Sequence, residues 1–122
     1  MRKFPRIALL LLGILLDLVS PALAGDFVPG IEDLPLMAGL SPGAGGPLVF
    51  DTPAGRIVES PLTGTQAPPR VRAFYAEILP QLGWRPAPGG TYRREGERLR
   101  IEFPTRPGAG FAVRFTVRPA ID

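Results

Sequence analysis

The chain has 122 residues with 14 basic and 11 acidic side chains, and it contains no cysteine and no histidine. These absences exclude disulfide bonds, nucleophile systems that depend on histidine or cysteine, and metal sites with such ligands. Lysine occurs only at Lys3, so lysine-based covalent catalysis is excluded for the rest of the chain. We therefore expect a protein that is not an enzyme and that carries no cofactor or metal.

The first 24 residues predict a secretory signal peptide over residues 1–24. A basic start precedes an apolar run at 7–16, and the small residues of Ala22-Leu23-Ala24 provide a cleavage site. An uncleaved membrane anchor needs about 20 uninterrupted apolar residues, whereas Asp17 interrupts this run. We expect cleavage after Ala24, export to the periplasm of a Gram-negative-type bacterium, and no transmembrane segment in the mature chain.

Cleavage would remove 24 of the 122 residues and leave 98, a length that suits one small domain. Three basic residues and one acidic residue leave with the signal peptide, so the net charge falls from +3 to about +1. Such a balance is not typical of proteins that bind nucleic acid. We expect no nucleic-acid partner, and composition leaves the oligomeric state open.

Residues 25–46 combine apolar side chains with closely spaced proline and glycine, which predicts an extended arm before a small domain over residues 47–122. The arm is too apolar to lie comfortably in water, so it either packs across the domain or docks on a partner. An envelope protein would suit such an arm. The predicted contact surface comprises Phe27, Ile31, Leu34, Leu36 and Met37.

A β-hairpin is predicted where two apolar, β-branched segments flank a turn at 52–55. The choice between Ile57 and Val58 as the inward residue stays open, because a slip of one residue exchanges the two faces of a strand. A loop is predicted over 61–67, since proline and glycine return there.

A helix is predicted from Pro68-Pro69 onward, because apolar residues then recur at helical spacing as far as Leu82. Paired prolines suit a first helical turn. Pro80 clashes with regular helical geometry, so the helix should end or kink near Leu79, with Gly83 closing the turn. We assign the aromatic side chains of Phe74, Tyr75 and Trp84 to packing rather than to a ligand platform.

From Trp84 onward the apolar residues alternate with polar ones, which predicts three or four antiparallel strands in a meander. Turns fall at Gly89-Gly90 and Gly96, and a loop falls at 107–110. Hairpin, helix and meander together predict an α+β fold: a single antiparallel sheet of about five strands with one helix packed on one face, in two layers.

The stretch VRAFYAEILPQLGW (71–84), followed by YRREGERLRI (92–101), resembles a recurrent pattern in small exported bacterial α+β proteins. In that pattern a helix carrying FY-x3-LP-x-LGW precedes a strand pair that turns at a glycine. The preceding VFDTPAGRIVES fits the same arrangement, so the resemblance covers about residues 48–103. It implies the architecture and an exported location. No activity is established for such proteins, so no catalytic residue is carried over.

The polar face of the predicted meander carries arginines that could hold phosphate or carboxylate groups bidentately. Glu95, Glu97 and Glu102 are interleaved with them in the sequence, which favours an ordinary solvated face with paired charges. An anionic lipid or glycan is the partner that would suit an arginine surface. The arginines in question are Arg93 or Arg94, together with Arg98, Arg100, Arg114 and Arg118.

The leading functional interpretation is a non-catalytic binding or accessory module of the cell envelope. The alternative is a small carboxylate-dependent hydrolase acting on envelope material, with Asp51 and Glu59 on opposite arms of the hairpin as its acid/base pair. Simultaneous replacement of both carboxylates by their amides would separate the two.

Overall fold

A computed structural model of the chain describes residues 26–105 and 110–120, so the predicted signal peptide lies outside the described residues. Within these described ranges, seven strands form one antiparallel sheet that is accompanied by one α-helix. The predicted α+β class with one antiparallel sheet is therefore confirmed, although the sheet has more strands than the five expected. The elements in chain order are β1 (Leu40–Pro42), β2 (Leu48–Thr52), β3 (Gly55–Gly64), α1 (Pro68–Ile78), a 3-10 turn (Pro80–Leu82), β4 (Arg85–Ala87), β5 (Thr91–Arg94), β6 (Glu97–Glu102) and β7 (Phe111–Pro119).

The sheet is organised around the long strand β3. Its neighbours follow the order β1-β3-β7-β6-β5-β4, and β2 also pairs with β3. β1 pairs with the end of β3 at Leu62–Gly64, and β2 pairs with its beginning at Gly55–Glu59, so both lie on the edge opposite β7. Residues 43–47 bulge out between them, which interrupts this edge of the sheet.

The predicted loop at 61–67 is wrong for its first half, because β3 continues through Pro61 to Gly64. Proline lacks an amide donor and normally disrupts the interior of a sheet. Here the Pro61 carbonyl accepts a hydrogen bond from the Gly43 amide at 2.8 Å. The backbone groups of Pro61 therefore face the bulge rather than β7, so no ladder hydrogen bond is lost to β7.

Helix α1 lies across the sheet with Val71 and Tyr75 buried. Prolines occupy its first turn as predicted, and the chain then passes through Leu79 into the 3-10 turn. Gly83 closes that turn at a positive φ of 91°, a conformation that glycine adopts without strain. The core between the helix and the sheet is filled by Val58, Leu62, Leu79, Trp84, Leu99, Ile101, Val113, Phe115 and Val117.

The arm is not extended, and its apolar side chains belong to this same core. Buried residues recur at every third position. The Ile31 amide donates to the Val28 carbonyl, and the Leu34 amide donates to the Ile31 carbonyl. Such tight turns bring every third side chain to one side of the chain. The buried members are Val28, Ile31, Leu34, Met37 and Leu40.

This burial corrects the predicted contact surface on the arm. Ile31 and Leu34 are fully buried and Met37 is nearly so, hence these three side chains cannot meet a partner from inside the core. Leu36 is partly buried and packs against the core. Only Phe27 stays largely exposed.

Ser60 supplies a test of the core. Its side chain lies on the buried side of β3 with Val58 and Leu62, and its Oγ has no hydrogen-bond partner among the described residues. An unpaired buried hydroxyl destabilises a fold. Ser60→Ala should therefore raise the free energy of unfolding by about 1 kcal/mol in thermal or urea denaturation. Ser41→Ala, at an exposed serine, is the control and should change nothing; a loss of stability in Ser60→Ala would contradict the expectation.

Candidate cationic site on the open sheet face

The side of the sheet turned away from α1 is called here the open face. On β6 and the first half of β7 the buried residues alternate with partly or largely exposed ones, as one covered and one uncovered face require. Thr116 is buried although it lies on the open face. Tyr92 packs against the core, so its neighbours Thr91 and Arg93 lie on the open face, as does Arg85 opposite Arg93. In the part of the chain that the structure describes, the open face thus carries six arginines, namely Arg85, Arg93, Arg98, Arg100, Arg114 and Arg118.

Four of these arginines stand directly opposite one another across adjacent strands. Arg118 on β7 is the register partner of Arg98, Arg98 that of Arg93, and Arg93 that of Arg85. We call this row the arginine ladder. Strands lie about 4.8 Å apart, so the ladder spans about 14 Å across the sheet. Like charges placed directly opposite each other destabilise a sheet unless neighbouring groups offset them.

Within residues 26–105 and 110–120, carboxylates contact some arginines of the open face and not others. Arg114 contacts Glu102 at 3.0 Å, and Arg118 lies 3.6 Å from Glu59. No ion pair joins Arg98 or Arg100 to a carboxylate of the described residues. Arg98 and Arg100 therefore carry positive charges that no carboxylate of the described residues contacts.

The interleaved glutamates of the sequence do not alter this balance. Glu97 lies on the helix side of β6, where its carboxylate accepts a hydrogen bond from Arg56 Nε at 2.9 Å. Glu95 lies in the turn between β5 and β6. Only Glu102 among the three shares the open face. Period-two alternation therefore separates charges that are neighbours in sequence.

The sequence left open whether Arg93 or Arg94 belongs to the arginine surface. Arg93 lies on the open face, whereas Arg94 is not part of the site. Its guanidinium lies 4.4 Å from the ring centroid of buried Trp84, and Nη1 donates to Asp33 at 2.6 Å and to the Leu82 carbonyl at 2.9 Å. The hydrogen bond from Arg94 lowers the pKa of the Asp33 carboxyl. Arg94 thus fastens the arm to the sheet, and Trp84 is a core residue rather than a ligand platform.

Two shallow depressions meet at Arg98. One, of about 510 Å³, is lined by Arg85, Thr91, Arg93 and Arg98 together with the prolines of β4 and its turn. The other, of about 360 Å³, contains Arg98 and Arg100. Guanidinium groups keep their charge at all physiological pH values and present two parallel donors to a phosphate or carboxylate. The depressions are therefore suited to hold anionic groups.

An exposed apolar strip borders the arginines. Leu48 is opposite Glu59 and Phe50 is opposite Ile57, so these residues share the open face. Leu48 is 52% exposed and Phe50 53%. We call Leu48, Phe50 and Ile57 the apolar margin. Val49, between them, points to the helix side because its register partner is the buried Val58, which also settles the facing of Ile57 and Val58.

Sequence reasoning missed Arg85 and the apolar margin as parts of this surface. Arg85 follows the buried Trp84, so alternation from that tryptophan would have placed it on the open face. The sequence contained no such signal for the apolar margin, because the register of the hairpin decides which of its residues lie on the open face.

Asp51 and Glu59 do not form the acid/base pair that the alternative hydrolase requires. Glu59 lies on the open face opposite Leu48, whereas Asp51 follows Phe50 and lies on the helix side opposite Arg56. The sheet stands between the two carboxylates. They cannot act together on one substrate.

Comparison with known proteins adds no assignment: no family model, curated protein or solved structure matches the chain significantly. No helix within residues 26–105 and 110–120 is long and apolar enough to span a membrane. Fold and surface define a two-layer α+β protein with a cationic sheet face.

Proposed function

We propose that this protein is an exported, periplasmic, non-catalytic binding module whose open face binds an anionic ligand. The observation that carries the proposal is the arginine ladder, in which four arginines are register partners on adjacent strands. A ligand with several phosphate or carboxylate groups would relieve this repulsion and form charge-assisted hydrogen bonds.

The arrangement fits ligand binding better than it fits structural pairing. Pairing across a sheet is stabilising when opposite charges are register partners, as Glu102 and Arg114 are. The ladder breaks that rule at three consecutive pairs of strands. Departures from local rules of this kind are expected at functional sites rather than in the scaffold.

The chemistry of the surface also favours binding over catalysis. The polar side chains that line the two depressions are arginines, threonines, Glu59 and Glu102. Both carboxylates contact arginines, and arginine does not exchange its proton near neutral pH. The surface offers strong donors for an anion, which is what a binding module requires.

The test replaces Arg98, which is common to both depressions, and measures affinity for inorganic polyphosphate by calorimetry. Arg98→Glu should weaken binding about tenfold or more, the loss typical of a charge-assisted contact. The same change should leave the protein as stable or more stable, because the new carboxylate stands between Arg93 and Arg118.

Arg70→Glu is the matched control, since Arg70 is exposed on helix α1 and its reversal changes the net charge equally. It should reduce polyphosphate affinity only slightly. Equal losses in the two variants would show attraction by net charge alone and would contradict a site on the open face. Absence of any polyphosphate binding would contradict the proposal itself.

A further inference from the structure

We propose that the anionic ligand is the phosphate surface of a lipid bilayer, which the arginine ladder binds while Leu48 and Phe50 enter the boundary between headgroups and acyl chains. This inference rests on the proposed function and names its partner.

The geometry places both kinds of side chain on one surface. Phe50 is opposite Ile57 on β3. The next residue of β3, Val58, is opposite Val117 on β7, so Ile57 is level with Arg118. The row that begins at Phe50 therefore continues through the arginine ladder. Six strands at about 4.8 Å spacing give a surface about 24 Å wide, apolar at the β2 edge and cationic across β7, β6, β5 and β4.

A soluble polyanion would account for the arginines but not for the apolar margin. Leu48 and Phe50 are each more than half exposed beside the arginines, although water is an unfavourable environment for both. An anionic bilayer complements both halves, because its phosphates attract arginine and its interface accepts leucine and phenylalanine. The two glutamates of the face, Glu59 and Glu102, oppose this attraction only weakly because each lies against an arginine.

Sedimentation with lipid vesicles tests the inference. Vesicles of phosphatidylglycerol and phosphatidylcholine in equal parts should bind the protein, and pure phosphatidylcholine vesicles should not. Leu48→Ser/Phe50→Ser should reduce binding to the anionic vesicles about tenfold or more, since it removes the apolar contact. Its affinity for polyphosphate should stay unchanged.

Val49→Ser is the matched control, because Val49 is 55% exposed in the same strand but lies on the helix side. It should bind anionic vesicles as the unaltered protein does. Melting temperatures verify that each variant folds, and Leu48→Ser alone, with an expected loss of about threefold, replaces the double variant if that one does not.

The outcomes separate this inference from the proposed function. Polyphosphate binding without vesicle binding would overturn the bilayer as partner and leave the anion site standing. Vesicle binding that Leu48→Ser/Phe50→Ser leaves intact, or that Val49→Ser weakens equally, would overturn the role of the apolar margin. Failure to bind either probe would overturn both proposals.

Discussion

Leu34→Ala should lower the free energy of unfolding by about 2 to 5 kcal/mol, the usual cost of such a truncation in a packed core. Leu34 is fully buried although it lies in the segment that its proline and glycine content marks as an arm. Its amide donates to the Ile31 carbonyl and its carbonyl accepts from Val28, so the surrounding turns hold the backbone in place. The site cannot collapse around the missing atoms, and a cavity remains.

The control is Leu48→Ala, which removes the same atoms from an exposed leucine on β2. It should change the unfolding free energy by about 0.5 kcal/mol at most. Urea denaturation of both variants makes the comparison. Deletion of residues 26–46 is expected to prevent folding, because it removes five core side chains and β1. A Leu34→Ala variant as stable as Leu48→Ala would contradict the packing of the arm.

Tyr75→Phe should lower the unfolding free energy by about 2 kcal/mol near neutral pH. The Tyr75 hydroxyl donates to the Pro35 carbonyl at 2.7 Å and accepts from the Met37 amide at 3.0 Å. Phenylalanine keeps the ring contact with Phe115 but leaves the Met37 amide without a partner at a buried position. The loss therefore measures the polar link between the helix and the arm.

The same hydroxyl makes stability depend on alkaline pH. Burial raises the pKa of Tyr75 to about 12 from the ordinary value of 10.0, against a smaller lowering by the Met37 amide. The folded protein thus holds the phenolic proton more tightly than the unfolded chain. This contribution is complete below pH 10 and is lost as the pH rises from 10 to about 12. A two-unit difference in pKa corresponds to roughly 3 kcal/mol of unfolding free energy.

Denaturation between pH 8 and pH 12 measures this loss. Tyr75→Phe should lack it, whereas Tyr92→Phe should retain it and should have nearly normal stability at neutral pH, because the Tyr92 hydroxyl has no hydrogen bond within the described residues. If Tyr75→Phe lost the same amount of stability at alkaline pH, the loss would have to come from another ionisable group.

The elements with a clear period were predictable. Helix α1 has its apolar stripe and paired prolines, and its end at Leu79 follows from the clash that Pro80 introduces. The meander has strict alternation, which also assigned Arg98, Arg100, Arg114 and Arg118 to a common face. The arm was harder, since a period of three is typical neither of α-helix nor of strand, and the sequence indicated an extended segment where consecutive turns bury Ile31 and Leu34.

Local periodicity in the amino-acid sequence specifies the order of helix and strands and the side of each meander strand on which a residue lies. Which residues stand opposite one another is set by strand pairing in the folded domain. Strand register aligned Arg85, Arg93, Arg98 and Arg118 into a ladder and separated Asp51 from Glu59. Register depends on pairing between residues far apart in the chain, which no single segment specifies.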